Sequence, residues 1–146
     1  MISAIVAVDN NWGIGYNGDL LLSIPDDLKR FKAITTGHNV VMGKNTWESL
    51  PKKPLPNRIN IVIDYRDTID YLDDYIIGNL EDISNMIKFS IEKDPNIEFF
   101  IMGGGSIYKQ LLPLCDRVYL TKIYHNFENV DTFFPNLDAT GDWVSA

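Results

Sequence analysis

An acid in the first turn of a predicted helix is the residue best placed to do chemistry. Pro25 suits the first turn of a helix, and from there Asp27, Phe31 and Ile34 recur at the spacing of one helical face. An acid among apolar side chains is the kind of group that binds a ligand or handles a proton. The alternative is a structural acid that only interacts with the helix dipole. Adjacent residues fall on the wetter side of the helix: Asp26, Lys29, Arg30 and Ala33.

Two predicted strands run directly into glycines and then into helices. Residues 40–42 lead into Gly-Lys-Asn-Thr at 43–46, and residues 99–102 lead into Gly-Gly-Gly-Ser at 103–106. Backbone N–H groups at such joints can approach a phosphate at the positive end of a helix. In open α/β sheets, ligands bind at the carboxyl ends of strands. A glycine run can also serve tight packing alone, and neither joint matches the spaced-glycine fingerprint or the P-loop.

The elements that must position these residues alternate as in an α/β domain. Short apolar runs predict strands over 2–8, 39–42, 59–63, 75–77, 99–102 and 117–123. Helical patterns cover 26–35, 46–50, 80–92 and 107–112. With 146 residues that are 45% hydrophobic, the chain can form one core. We expect a single domain over residues 1–146, with a central, mostly parallel twisted sheet flanked by about four helices.

Composition excludes several classes of function. The formal net charge of -7 argues against a nucleic-acid or membrane partner. Cys115 is the only cysteine, and His38 and His125 stand alone, so we expect no disulfide and no metal site. The first apolar run is too short for a signal peptide or a membrane span, which favours the cytoplasm. An acidic stretch is predicted to be solvated: Asp64, Asp67, Asp70, Asp73 and Asp74.

Motifs along nearly the whole chain resemble the dihydrofolate reductase family, and their joint order and spacing are specific. They are the opening strand Ile-Val-Ala-Val, Gly13-Ile14-Gly15, Pro25-x-Asp27-Leu28-x-x-Phe31-Lys32, Val41-Met42-Gly43-Lys44-x-Thr46-Trp47-Glu48-Ser49, Pro54-Leu55-Pro56-x-Arg58-x-Asn60-Ile61-Val62, Met102-Gly103-Gly104-Gly105-x-Ile107-Tyr108, Leu120-Thr121 and Asp131-Thr132-x-Phe134-Pro135. The resemblance implies hydride transfer from NADPH to C6 of dihydrofolate, coupled to protonation at N5. The product would be tetrahydrofolate, used in one-carbon metabolism.

The resemblance also implies roles for individual residues around the substrate. Asp27 would be the catalytic residue, which holds the pterin 2-amino group and N3 and assists N5 protonation through water. Thr121 would support that acid, and Arg58 would pair with the α-carboxylate of the substrate. The other positions implied for substrate binding are Ile5, Leu28, Phe31, Lys32, Leu50, Leu55, Met102 and Tyr108.

For the cofactor, the resemblance implies NADPH held by both glycine joints. A cis peptide is expected between Gly103 and Gly104. The loop over residues 13–23 would close over the nicotinamide and exclude water. The implied cofactor-binding positions are Ala7, Ile14, Gly15, Leu20, Gly43, Lys44, Asn45, Thr46, Ile63, Asp64, Gly104, Gly105, Ser106, Ile107, Tyr108 and Gln110.

Two local departures from the family pattern bear on rate and on cofactor choice. Leu21 and Leu22 stand where relatives carry Pro-Trp, and leucine has no N–H to hold the water used in proton delivery. We therefore expect a slower or pH-shifted reductase. Asp64-Tyr65-Arg66 replaces the hydroxyl and basic residues that grip the 2′-phosphate, so Asp64 would rather bond a free ribose hydroxyl, and NADH becomes a possible cofactor. Lys44 and Arg66 could still favour NADPH.

A third departure is at the carboxyl end, where the pattern predicts that the family's last two strands are missing. An exposed sheet edge would follow. The chain would then be a fragment, or an interface would cover the edge, or the domain would be marginally stable. The expected partners are dihydrofolate and antifolate inhibitors, in a monomer by default or an edge-covering dimer.

Two other functions remain open. One is a folate- or nucleotide-binding structural protein with weak or lost catalysis. The other is a reductase of the deaminase-linked riboflavin type, which Asp27 and Arg58 disfavour because they suit a pterin with a glutamate tail.

Overall fold

A seven-stranded sheet forms the centre of the computed structural model, which describes residues 1–16, 19–20, 25–124, 128 and 130–145. For residues 16, 19–20, 25–27 and 140 it describes the backbone alone. The strands are β1 (Ile2–Val8), β2 (Gly13–Tyr16), β3 (Asp19–Leu20), β4 (Asn39–Gly43), β5 (Ile59–Ile63), β6 (Asp70–Tyr71), β7 (Ile76–Gly78), β8 (Phe99–Ile101), β9 (Arg117–Lys122) and β10 (Thr132–Phe133). The helices are α1 (Pro25–Thr35), α2 (Lys44–Ser49), α3 (Leu80–Lys93), α4 (Gly105–Leu111) and α5 (Leu137–Thr140), with a 3-10 turn at Leu112–Leu114.

The central sheet has the order β6-β7-β5-β4-β8-β1-β9, and every neighbouring pair is parallel except β6 and β7. Its inner strands are buried on both faces because helices cover both. Val40 and Met42 pack with Phe31 and Ile34 of α1 on one face, whereas Val41 packs with residues of α3 and α4 on the other. This arrangement confirms the predicted α/β class and its mostly parallel sheet.

A second, three-stranded sheet of order β10-β2-β3 was not predicted. It contains Gly13–Tyr16 and Asp19–Leu20, two stretches of the segment expected to close over the nicotinamide. Strand β2 pairs antiparallel with both of its neighbours. Leu21 and Leu22, on which the expectation of a slower reductase rests, lie outside the described residues.

Strand β9 lies at one end of the central sheet and pairs with β1. Within the described residues no strand pairs with its other edge. No helix in the described ranges is long and apolar enough to cross a membrane.

Candidate active site

Two glycine joints lie side by side at the carboxyl ends of β4 and β8. The two strands are parallel neighbours, and the Gly43 N–H donates a hydrogen bond of 2.8 Å to the Gly103 carbonyl. Helices α2 and α4 begin directly after them. A cavity of about 900 Å³, here named the amide cavity, opens at this point and is lined by Gly15, Gly43, Lys44, Asn45, Thr46, Ile63, Asp64, Tyr65, Asn79, Leu80, Glu81, Gly104, Gly105, Ser106, Ile107, Gln110 and Thr132.

The amide cavity fits the phosphates of the expected dinucleotide. Neither Gly43 nor Gly104, the residues that precede α2 and α4, caps its helix with a side chain, so first-turn N–H groups stay available. A Cβ at Gly43 would lie 3.0 Å from the Ile107 side chain, and one at Gly105 would overlap the Thr132 side chain. Glycine at both positions therefore allows the backbone to pack closely against neighbouring side chains beside the cavity.

The peptide between Gly103 and Gly104 is cis, as the resemblance implied. Gly103 has a φ of 113°, and a Cβ there would meet the Tyr108 ring at 3.0 Å. Tyr108 itself is buried, and its hydroxyl donates a hydrogen bond of 2.7 Å to the Ile5 carbonyl. Tyr108 lines neither cavity, and its ring instead packs against the backbone at Gly103.

A second cavity, of about 520 Å³, adjoins the first and is here named the apolar cavity. The two cavities share neighbouring residues, because Met102 lines the apolar cavity and Gly104 lines the amide cavity. Helix α2 also connects them, since its first residue, Lys44, lines the amide cavity and its last, Ser49, lines the apolar cavity. The apolar cavity is lined by Ile5, Val6, Leu28, Arg30, Phe31, Lys32, Ser49, Leu50, Pro51, Lys52, Leu55, Arg58, Met102 and Thr121. All the residues implied for substrate binding are present except Tyr108.

Arg58 is held against the wall of the apolar cavity by two hydrogen bonds. Its Nε donates to the Pro56 carbonyl at 2.9 Å, and its Nη1 donates to the Thr35 hydroxyl at 3.1 Å. The guanidinium lies 5.8 Å from the centre of the Phe31 ring. Burial lowers the pKa of Arg58, although the group stays charged because its ordinary value is so high. Within the described residues Nη2 makes no hydrogen bond, which leaves it for a carboxylate.

The loop that carries Leu55 and Arg58 is fixed by Asn60, a fully buried residue of β5. The Asn60 amide oxygen accepts a hydrogen bond from the Leu55 N–H at 2.9 Å. Its Nδ2 donates to the Leu55 carbonyl at 3.0 Å and to the Arg58 carbonyl at 3.1 Å. One side chain therefore sets the loop's position relative to the sheet.

Arg30 lines the apolar cavity, although its helical phase predicted a position on the wetter side of α1. The residue is also exposed, as that phase predicted. Its Nη1 donates a hydrogen bond of 2.5 Å to the Thr121 hydroxyl at the end of β9. The long side chain reaches round the helix, so the phase of its Cα alone did not predict its position.

Asp27 belongs to the first turn of α1, one turn before Phe31. Only its backbone is described, and the same is true of Leu20, so the implied roles of both side chains remain predictions. The phase of the helix is nevertheless as expected, because Phe31 and Ile34 pack on the sheet while Lys29 and Ala33 are exposed.

Some implied cofactor positions line the amide cavity and others do not. Ala7 and Ile14 are buried in the core and do not reach the cavity wall. The prediction missed several lining residues, of which Val6, Ser49 and Thr132 lie within a quoted motif. In the amide cavity these are Tyr65, Asn79, Leu80, Glu81 and Thr132, and in the apolar cavity Val6, Arg30, Ser49, Pro51 and Lys52.

No cluster that could hold a metal ion occurs among the residues that the structure describes. Cys115 is a free thiol, and burial together with Asp116 raises its pKa to about 12. His38 lies 3.6 Å from the Glu98 carboxylate, and His125 lies outside the described residues.

Comparison with known proteins agrees with this geometry. A family model described as dihydrofolate reductase matches residues 1–146. The dihydrofolate reductase of Bacillus subtilis is 41% identical over 140 residues, which cover 96% of this chain and 79% of that protein. That of Mycobacterium leprae is 38% identical over 156 residues, which cover 99% of this chain and 89% of that protein.

A solved structure, dihydrofolate reductase from Enterococcus faecalis complexed with NADP(H) and RAB-propyl, is also similar. It superimposes with a TM-score of 0.77 at 35% identity and covers 94% of this chain and 79% of that one. The fold, the two cavities and these matches together show that the chain belongs to the dihydrofolate reductase family.

Proposed function

We propose that this chain reduces 7,8-dihydrofolate to 5,6,7,8-tetrahydrofolate with NADPH. The observation that carries the proposal is the junction of the two cavities: one is lined by backbone amides at helix starts, and the other is apolar with Arg58 in its wall. A cofactor in the first and a pterin in the second would meet beside residues 102–104. The relatives named above act on the same substrate by name.

The residues that would hold NADPH are the backbone groups of 43–46 and 104–107, with Lys44 and Thr46 contributing side chains. When bound, NADPH supplies the hydride. The chain's own part is to keep the reacting faces together and free of water. The structural relative with NADP(H) bound supports this assignment of the cofactor.

The apolar cavity would take the pterin and the benzoyl ring. Phe31, Leu50 and Leu55 provide apolar walls, and Arg58 would receive the α-carboxylate through the donors that the protein leaves unused. The same cavity would accept antifolate inhibitors, because their ring systems would pack against the same apolar walls.

Asp27 would anchor the pterin 2-amino group and N3 and assist the protonation of N5. Its place in the first turn of α1, one turn before a lining residue, supports this role. Replacing the carboxylate by an amide keeps the shape and removes the proton acceptor.

The test is the fall in absorbance at 340 nm when NADPH and dihydrofolate are mixed with the protein. We expect turnover in the wild type and a loss of about 100-fold or more in Asp27→Asn. No turnover, combined with tight binding of a folate analogue by calorimetry, would instead favour a binding protein without catalysis. The oligomeric state and the cytoplasmic location stay predictions.

The Leu21-Leu22 pair gives a separate prediction about rate. If the missing indole N–H limits proton delivery, Leu22→Trp should raise kcat or shift its pH profile, with Leu21→Trp as the matched control. An unchanged rate and profile in Leu22→Trp would contradict the prediction.

A further inference from the structure

The end of the amide cavity next to β5 has an unusual balance of charge. Asp64 follows β5 directly and lines the cavity, as do Lys44 and Glu81. These three side chains are the charged members of the lining within the described residues, and their formal charges sum to −1. A dinucleotide phosphate outside the reach of the helix starts would meet net negative charge here.

Lys44 is already engaged with two carboxylates. Its Nζ lies 3.5 Å from Asp64 Oδ2 and 4.0 Å from Glu48 Oε1. The Asp64 side chain is only 23% exposed, against 50% for Lys44, so the acid is the less solvated partner of the pair. If a bound phosphate drew Lys44 away, the Asp64 carboxylate would lose its cation and would face the phosphate at short range.

Arg66, the first cation after Asp64 along the chain, points away from the amide cavity. Its Nη1 pairs with Asp70 Oδ2 at 2.8 Å, and it does not line the amide cavity. Asn79 does line the cavity, but its amide is used to begin α3: its oxygen accepts from the Asp82 N–H at 2.8 Å. Its Nδ2 donates to the Arg66 carbonyl at 2.8 Å.

Asp64 keeps the capacity to accept a further hydrogen bond. Its Oδ1 accepts from the Tyr65 N–H at 2.8 Å, and its Oδ2 faces Lys44. A carboxylate offers about four lone-pair positions, so one hydroxyl donor can still be accommodated. Acids in dinucleotide-binding folds bond the ribose 2′-hydroxyl of NAD in this way, whereas the 2′-phosphate of NADP needs a cation.

We propose that Asp64 is a specificity-determining residue that makes the amide cavity accept a ribose with a free 2′-hydroxyl nearly as well as one with a 2′-phosphate. This inference rests on the proposed function, since it concerns the same cofactor site. NADPH can still bind by recruiting Lys44, but it does so against the charge of Asp64. NADH is therefore used with an efficiency within about tenfold of that of NADPH.

The experiment measures binding and turnover separately. Calorimetry gives the Kd of NADP⁺ and of NAD⁺, and initial rates give kcat/KM for NADPH and NADH at saturating dihydrofolate. Both are measured for the wild type, for Asp64→Asn, and for Asp67→Asn, which removes the same charge from an exposed residue that lines neither cavity.

We expect wild-type Kd values within about tenfold of each other, and a shift of about tenfold towards NADP⁺ in Asp64→Asn. Asp67→Asn should leave the ratio unchanged. A wild-type preference for NADP⁺ above about 100-fold that Asp64→Asn does not alter would overturn the inference. An equal shift in both variants would overturn it too, because the effect would then be one of net charge.

The outcomes also separate this inference from the proposed function. Comparable Kd values for the two dinucleotides without any reduction of dihydrofolate would remove the proposed activity and leave the role of Asp64 intact. If the protein turns over with NADPH alone, and Asp64→Asn does not change the ratio of the two Kd values, the role of Asp64 is removed and the proposed activity stands. Failure to bind either dinucleotide would overturn both.

Discussion

Thr35 links the helix that carries the candidate acid to the candidate substrate arginine. Its hydroxyl donates to the Phe31 carbonyl at 2.8 Å and accepts from Arg58 Nη1 at 3.1 Å, and the residue is fully buried. A buried hydroxyl with both bonds made fixes the direction of the guanidinium. Arg58 is thus positioned before any ligand arrives, which lowers the cost of ordering it on binding.

Replacing Thr35 by valine keeps the volume and removes the acceptor for Arg58. We expect the KM for dihydrofolate to rise by about three- to tenfold and the free energy of unfolding to fall by about 1–2 kcal/mol, because a charged donor loses its buried partner. The KM for NADPH should not change. Thr35→Ser keeps the hydroxyl and is the control, and an equal rise of the KM in both variants would show that the lost hydrogen bond to Arg58 is not the cause.

Cys115 gives a prediction about alkaline stability. Burial, and to a smaller extent the Asp116 carboxylate, raises the pKa of the thiol from about 9 to about 12. Between these values the folded state keeps a proton that the unfolded state has lost, so stability falls as pH rises. Below pH 9 both states hold the proton and the effect vanishes.

We therefore expect the wild type to lose more stability between pH 9 and pH 11 than Cys115→Ala does, as measured by urea unfolding at each pH. In the native protein at pH 8 the thiol should react slowly with a disulfide reagent and rapidly once the chain is unfolded. Identical pH slopes for the two proteins would contradict the first expectation.

At the scale of elements, Gly105 lets the first turn of α4 approach β10. A Cβ at this position would overlap the Thr132 side chain, whose methyl group is the nearest atom. Thr132 in turn pairs with Gly15 of β2, so the contact joins the glycine joint to the small sheet. The position of the amides that would receive a phosphate depends on this one close approach.

Gly105→Ala should push α4 and β10 apart. We expect a loss of about 1–3 kcal/mol in stability and a rise of about tenfold in the KM for NADPH, while the KM for dihydrofolate changes little. Thr132→Ser removes the obstructing methyl group, so the double variant should recover most of both losses. If the double variant is as impaired as Gly105→Ala alone, the overlap is not the cause.

The long elements were predictable because their apolar spacing repeats over several turns or residues. Strands β1 and β5 have the predicted bounds, and the phase of α1 was right for Phe31 and Ile34. The starts of α2 and α4 were placed two residues late, because glycines precede them and no side-chain cap marks the first turn. Two-residue strands such as β6 carry too few residues for any period.

In the candidate site, too, some residues were predictable from the sequence and others were not. Most of the residues assigned to substrate or cofactor from the resemblance line one of the two cavities. Thr35 and Asn60 act through hydrogen bonds to residues brought together by the fold, and Arg30 through the reach of a long side chain. Such roles depend on tertiary contacts, which spacing along the chain does not encode.

At the scale of the whole molecule, charge is distributed unevenly. The chain carries a formal net charge of -7, with 13 cationic residues in all. Four of these line the apolar cavity, namely Arg30, Lys32, Lys52 and Arg58, and none of its described lining residues is acidic. An anionic ligand is therefore repelled by the protein at long range and attracted by the cavity at short range.

Salt decides which of these two effects governs association, because the Debye length is about 10 Å at 0.1 M. Above that ionic strength the distant acids are screened and the nearby cations dominate. We expect the KM for dihydrofolate to rise several-fold between about 0.1 and 0.5 M NaCl with little change in kcat. Lys52→Gln should raise the KM at 0.1 M and flatten its salt dependence, whereas Lys88→Gln, on an exposed position of α3, should do neither. A KM that falls with salt in this range would show that the net charge governs the encounter, because screening would then relieve repulsion rather than weaken attraction.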